Sequence, residues 1–96
     1  MGAQVFTTTA KGSDARNAFI SAVREAQYEC GHGGYTGTIA EKHDFTVISL
    51  KEGYEPREYA NKLIDDCDSR IDDKWGPAGC FELGEGRYFF FGWASS

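Results

Sequence analysis

The sequence lacks a long hydrophobic run, a cluster of basic residues and a CxxC pair of cysteines. Its longest apolar run, at residues 88–91, is far too short to cross a bilayer, so no membrane contact is expected. The first residues show no basic region followed by an apolar run, which predicts that no secretory signal is present. Together these absences favour a cytoplasmic protein.

Basic residues are in the minority, because ten Lys and Arg stand against fifteen Asp and Glu, for a net charge of −5. The basic residues are scattered along the chain. Proteins that bind nucleic acids normally present a basic face to the phosphates. Direct binding to nucleic acid is therefore not expected.

Cysteines are few and follow no recognised pattern. Cys30, Cys67 and Cys80 are odd in number and widely spaced, which predicts reduced thiols in a cytosolic protein. With His32 and His43 they match no zinc-binding spacing, so neither a metal nor a cofactor is predicted. Cys30 and His32 are also too close in sequence for a typical thiol nucleophile and its base. No catalytic residue is identified, and an enzyme stays open as the less expected class.

Aromatic residues are abundant, with seven Phe, five Tyr and two Trp in 96 residues. Each ring can bury roughly 150–250 Å², which compensates for the modest core of a short chain. We therefore predict one folded domain over residues 1–96.

Hydrophobic periodicity predicts an α+β fold with the element order β-α-β-β-α-β-β. The first helix follows Ser13, a good N-cap, and ends before Gly31, while the second begins at Pro56 and ends before Trp75. The natural packing is a two-layer sandwich with both helices on one face of a mostly antiparallel sheet. This pattern resembles a ferredoxin-like fold with an added C-terminal strand. The strands are expected at residues 4–9, 38–40, 45–50, 80–83 and 87–93.

The most unusual feature is residues 65–73 (DDCDSRIDD), which we call the acidic segment and which fall within the predicted second helix. Asp is a weak helix former, and each negative charge near a helix C-terminus opposes the dipole by roughly 0.3–1 kcal/mol. Helical spacing would also stack the charges of Asp65, Asp68 and Asp72 on one face. The segment is either a solvated surface that maintains solubility or a binding surface for a basic protein partner. In the second interpretation the partner-binding residues are Asp65, Asp66, Asp68, Asp72 and Asp73.

A glycine-rich loop at residues 31–37 is the second candidate site. Backbone N–H groups in such loops can converge on an anion. However, this loop leads from a helix into a strand, whereas phosphate-binding loops lead from a strand into a helix. The loop is either a structural turn, a protein-contact loop or a ligand pocket. The ligand-binding residues of the last interpretation are His32, Gly33, Gly34, Tyr35 and Thr36.

The last predicted strand carries aromatic residues on both faces. Tyr88 and Phe90 point to one face, and Phe89, Phe91 and Trp93 point to the other. Helices on one face alone leave the second face without a helical cover. Either loops cover it, or it is an apolar patch through which the chain forms a homodimer.

Residues 31–42 (GHGGYTGTIAEK) and 75–93 resemble small proteins of tailed phages and bacterial mobile elements. The resemblance brings no catalytic motif. It implies a bacterial cytoplasm and a protein that inhibits host machinery or host defence. The ferredoxin-like pattern also resembles RNA-recognition domains, but the aromatic–basic RNP motif is missing and the charge has the wrong sign.

These features predict a small acidic protein-interaction module, an inhibitor of phage type, that binds a basic partner through its second helix. Such an association weakens as salt is added. The alternative is a binder of small molecules, of nucleotide type, that uses the glycine-rich loop with Lys42 or Arg87 nearby.

Overall fold

A mixed sheet of four strands runs through the computed structural model, which describes residues 3–30, 38–73 and 75–95. The predicted α+β class is confirmed. The elements are β1 (Ala3–Lys11), α1 (Ala15–Cys30), a short 3₁₀ helix (Ile39–Glu41), β2 (Phe45–Val47), α2 (Pro56–Asp65), β3 (Ala78–Gly84) and β4 (Arg87–Ser95).

The strand order is β1-β4-β3-β2, which places β1 and β2 at the two edges of the sheet. β4 pairs antiparallel with both β1 and β3, whereas β2 pairs parallel with β3. The sheet is therefore mostly antiparallel, as predicted, but the ferredoxin-like order is not confirmed. Residues 38–40 do not form a strand, because Thr38 caps the 3₁₀ helix by accepting a hydrogen bond from the Ala40 N–H (3.2 Å).

The two helices lie on opposite faces of the sheet, which corrects the prediction that both lie on one face. Phe90 packs in a core with α1, and its neighbours Phe89 and Phe91 pack in a second core with α2. The connection through α1 runs across the sheet from β1 to β2, and the connection through α2 runs back from β2 to β3. Since both join parallel strands, right-handed crossovers in opposite directions place the helices on opposite faces.

This arrangement covers both aromatic faces of β4. Phe90 and Phe91 are fully buried, and Phe89 is 6% exposed. The expected apolar patch of aromatic rings is therefore absent from β4 at these three positions, because α2 covers the second face. A homodimer stays a prediction, but these rings are not available to form it.

The second helix is shorter than predicted and ends at Asp65. Pro56 occupies its first turn as expected. Cys67 adopts a left-handed conformation (φ 55°), and the N–H groups of Cys67 and Asp68 donate to the carbonyls of Ile64 (3.1 Å) and Leu63 (3.1 Å). These bonds form a Schellman motif, in which cysteine stands where glycine is usual.

Candidate functional site

The acidic segment lies mostly beyond α2 rather than on it. Asp65 is the last helical residue and Asp66 is the C-cap. Asp68, Asp72 and Asp73 follow in turns and irregular chain. The predicted stacking of Asp65, Asp68 and Asp72 on one helical face is therefore wrong, because the Schellman motif turns the chain after the first two Asp residues.

The carboxylate of Asp68 is held in place by an ion pair and hydrogen bonds with Arg70. Its side chain accepts bonds from the Arg70 backbone N–H (2.9 Å), Nε (2.9 Å) and Nη2 (2.8 Å). These hydrogen bonds lower the pKa of Asp68 to about 2. Ile71, which follows Arg70, is 1% exposed, and its backbone N–H donates to the Asp68 carbonyl (3.0 Å). The pair thus fixes the chain where it returns to the core.

Acid is expected to weaken the fold through Asp68. Its pKa is about 2 in the folded chain and about 3.9 in an unfolded one. The folded state therefore binds fewer protons, so the stabilisation is complete above about pH 4 and is lost as the pH falls through the folded pKa. Urea denaturation at several pH values should show a steeper loss of unfolding free energy in the wild type than in Asp68→Asn. If the unfolding free energy fell equally steeply with pH in both proteins between about pH 4 and pH 2, this role for the carboxylate would be contradicted.

The other carboxylates of the acidic segment are exposed and differ in their contacts. Asp66 forms an ion pair with Lys62 across one helical turn (3.0 Å). Asp73 accepts a hydrogen bond from the Trp75 N–H (2.8 Å). Among the described residues, Asp65 and Asp72 have no ion-pair partner, so their charge is the least compensated in the segment.

Lys42 fixes the far end of the acidic segment. It is 3% exposed, and its Nζ donates to the Gly76 carbonyl (2.9 Å). Burial lowers the pKa of Lys42, while the charges of Asp73 and Glu41 partly oppose that shift. The Gly76 N–H in turn donates to the Asp73 carbonyl (2.9 Å). A buried cation and backbone bonds therefore hold the end of the segment in place.

The carboxylates do not converge on a single point. In the described ranges, no three His, Cys, Asp or Glu side chains are placed to hold a metal ion. Of the thiols, Cys67 is exposed, and burial raises the pKa of Cys80 to about 12. The acidic segment is therefore a surface of separate charges, a geometry suited to several cationic groups of a partner.

The glycine-rich loop lies outside the described residues, and with it the predicted ligand contacts His32, Gly33, Gly34, Tyr35 and Thr36. The two basic residues that were expected near this loop lie in different parts of the structure. Lys42 is buried against Gly76, whereas Arg87 is exposed and pairs in register with Lys11.

A feature that sequence reasoning missed is a groove of about 350 Å³ between β1 and α1, which we call the β1–α1 groove. It contacts the consecutive residues 4–8 of β1 and one stripe of α1. The helical spacing of that stripe is visible in the sequence, but the position of β1 at the sheet edge is not. The described lining residues are Gln4, Val5, Phe6, Thr7, Thr8, Ala22, Glu25, Ala26, Glu29, Thr38 and Ile39.

No α-helix of the described ranges is long and apolar enough to cross a membrane. The two candidate sites, the exposed acidic segment and the groove at one edge, both belong to a fold with a mixed sheet and one helix on each face. Comparison with known proteins found no matching family model, no matching curated protein and no matching solved structure.

Proposed function

We propose that this chain is a small acidic protein-interaction module that binds a basic surface of a partner protein through the acidic segment. The observation that carries the proposal is the exposure of Asp65 and Asp72 without compensating ion pairs among the described residues. Between residues 55 and 73 there are seven acidic and three basic residues, a net charge of −4 that is close to the −5 of the whole chain. Negative charge is thus concentrated in one region.

Structural order in this region supports the proposal. The Schellman motif fixes its start, Asp68 and Arg70 fix its middle, and Lys42 fixes its end. Carboxylates on an ordered backbone lose less conformational entropy on binding than carboxylates on a flexible tail. The segment therefore combines charge with a defined shape.

The experiment compares wild type with the double variant Asp65→Asn/Asp72→Asn. Affinity purification from the native cells, followed by native mass spectrometry, identifies a stoichiometric protein that is lost at high salt. The double variant is expected to bind that protein about tenfold more weakly, since two charge contacts of roughly 0.5–1 kcal/mol each are removed.

The matched control is Glu52→Gln/Glu85→Gln, which removes the same charge at exposed positions outside the acidic segment. It should retain the wild-type affinity at physiological salt. Equal weakening by both double variants indicates a net-charge effect, and no weakening by either contradicts a role for the acidic segment.

Inhibition of host machinery or defence, of phage type, is the more specific form of this proposal. Its support is the resemblance of residues 31–42 and 75–93 and the small acidic character of the chain. If the partner is an enzyme, the purified chain should inhibit it, and Asp65→Asn/Asp72→Asn should inhibit it less. A partner whose activity is unchanged by the chain contradicts inhibition but not binding.

The alternative function, binding of a nucleotide-type ligand by the glycine-rich loop, has less support. The β1–α1 groove reaches Glu29 and Thr38, the described residues near the two ends of that loop. Its described walls carry Glu25 and Glu29 but no Lys or Arg, which disfavours a phosphate group. A co-purifying small molecule that is lost when loop glycines are replaced by bulky residues would favour this alternative over the first.

A further inference from the structure

The outer edge of β1 has few of the features that prevent pairing with another strand. In the described part of the chain β1 pairs with β4 alone, through nine residue pairs in continuous register without a bulge. From Ala3 to Ala10 the strand has no charged residue, no Pro and no Gly. Natural edge strands normally use such residues, or bulges, to prevent pairing with other chains. The opposite edge strand, β2, has three residues and offers a much shorter template.

The β1–α1 groove runs along this edge. Successive side chains of a strand point to opposite faces, so a groove that contacts residues 4–8 in sequence follows the backbone rather than one face. Five residues span about 17 Å at the rise of an antiparallel strand. This is enough length for a short extended peptide to form several backbone hydrogen bonds.

The helical wall of the groove has room for a side chain. Ala22 and Ala26 lie one turn apart on α1, both line the groove, and both have only a methyl group. Phe6 and Ile39, also in the lining, are 7% and 2% exposed. An apolar side chain of an added strand would therefore contact small and buried apolar residues.

The negative charge of the helical wall favours a cationic side chain in the groove. Glu25 and Glu29 line the groove one turn apart and are exposed. They lie in the C-terminal half of α1, whose last turn has no basic residue, so the negative end of the helix dipole adds to their charge. No described lining residue is basic. A cationic side chain is the complement of this wall.

We propose that the β1–α1 groove binds an extended segment of a partner protein as a fifth strand beside β1. Two of its side chains that face α1, two positions apart, are an apolar residue over Ala22 and Ala26 and a Lys or Arg beside Glu25 and Glu29. Backbone hydrogen bonds supply affinity, and the apolar and basic residues that face α1 supply specificity. This surface is distinct from the acidic segment, and the proposal does not depend on the function proposed above.

The test uses labelled peptides of about seven residues, a typical strand length, which we call Val–Lys peptides. Thr occupies every second position, and Val and Lys alternate at the positions between, so that both can face α1. Fluorescence anisotropy should detect binding that weakens with salt, and NMR should place the shifted amides at residues 4–8. Peptides with Glu in place of Lys, and Val–Lys peptides N-methylated at alternate residues to block backbone hydrogen bonds, are expected not to bind.

Two variants of the chain test the charged and the apolar residues of the helical wall. Glu25→Gln/Glu29→Gln should weaken binding of the Val–Lys peptide about tenfold, for the loss of two charge contacts. Ala26→Leu fills the groove at a half-buried position and should weaken binding to a similar degree, with circular dichroism confirming that the fold is retained. Glu52→Gln/Glu85→Gln is the matched charge control and should bind normally.

Four results would overturn the proposal. The first is no binding by any Val–Lys peptide, and the second is equal binding by the N-methylated peptides. The third is a dimer in solution whose contacts, without any peptide, lie at residues 4–8, because the occupant is then a second copy. Loss of peptide binding in Asp65→Asn/Asp72→Asn but not in Glu25→Gln/Glu29→Gln assigns the peptide to the acidic segment and also contradicts the groove.

Discussion

Gly79→Ala is expected to lower the free energy of unfolding by about 3 kcal/mol or more, the upper end for overpacking a core. Gly79 lies in β3 directly opposite Phe91 of β4. A Cβ atom at Gly79 would lie 2.5–2.8 Å from three carbon atoms of the Phe91 ring. That ring is fully buried, so it has no open space into which it can move.

The loss should be measured by urea denaturation, and a second substitution isolates its cause. Phe91→Leu removes the ring atoms that the new methyl group meets, so Gly79→Ala/Phe91→Leu should lose much less stability than the sum of the two single variants. Gly76→Ala is the control, because its nearest neighbour would be the Asp73 Cβ at 3.3 Å. A loss below about 1 kcal/mol for Gly79→Ala, smaller than typical overpacking, would contradict the close packing of this pair.

The sequence alone could not identify Gly79 as special. It stands in a chain with twelve Gly, and its role depends on the register that places Phe91 across from it. Local signals gave better predictions. The first helix begins at Ala15, one residue later than a cap at Ser13 predicts, because the Asp14 carboxylate accepts the Asn17 backbone N–H (2.8 Å). The closing hairpin forms around the expected turn at residues 84–86.

Hydrophobic periodicity could not predict the strand order or the face of the sheet that each helix covers. Alternating aromatic residues in β4 showed that both faces needed a cover, but not which element covers each face. The parallel pairing of β2 with β3 decides this, because it sends α2 back across the opposite face from α1. Since β-strand patterns do not contain the strand order, a one-face arrangement was the simpler prediction.

The candidate sites show the same division between local and long-range information. Composition identified the acidic segment, and its residues are indeed largely exposed. Its geometry differed from the prediction, because Cys67 adopts a left-handed conformation that is unusual for a cysteine, and α2 ends before it, at Asp65. The β1–α1 groove was missed because it depends on two facts absent from sequence patterns: β1 is an edge strand, and α1 lies beside it.

The second large effect is expected for Phe81→Ala, which should lower the free energy of unfolding by about 3–5 kcal/mol, the range for a buried Phe. Phe81 is fully buried in the core between the sheet and α2. Its ring packs against Tyr59, Phe89 and Phe91 with centroid distances of 5.6, 6.1 and 4.6 Å. Truncation therefore leaves a cavity and removes three ring contacts together.

Phe90→Ala is the matched variant for the other core. Phe90 is also fully buried and packs against Phe19 of α1 and Phe45 of β2 (5.7 and 5.9 Å). Since β3 and β4 supply residues to both cores, the chain is expected to unfold in one transition, and the two variants should lose similar amounts of stability.

Urea denaturation measures the global loss, and amide hydrogen exchange locates it. If Phe81→Ala left global stability unchanged and only accelerated exchange in α2, that helix would be a separate unit that opens alone. In that case the acidic segment that follows α2 would be loosened with it. A loss shared by α1 and α2 would instead show that one two-sided sheet holds both the acidic segment and the β1–α1 groove in place.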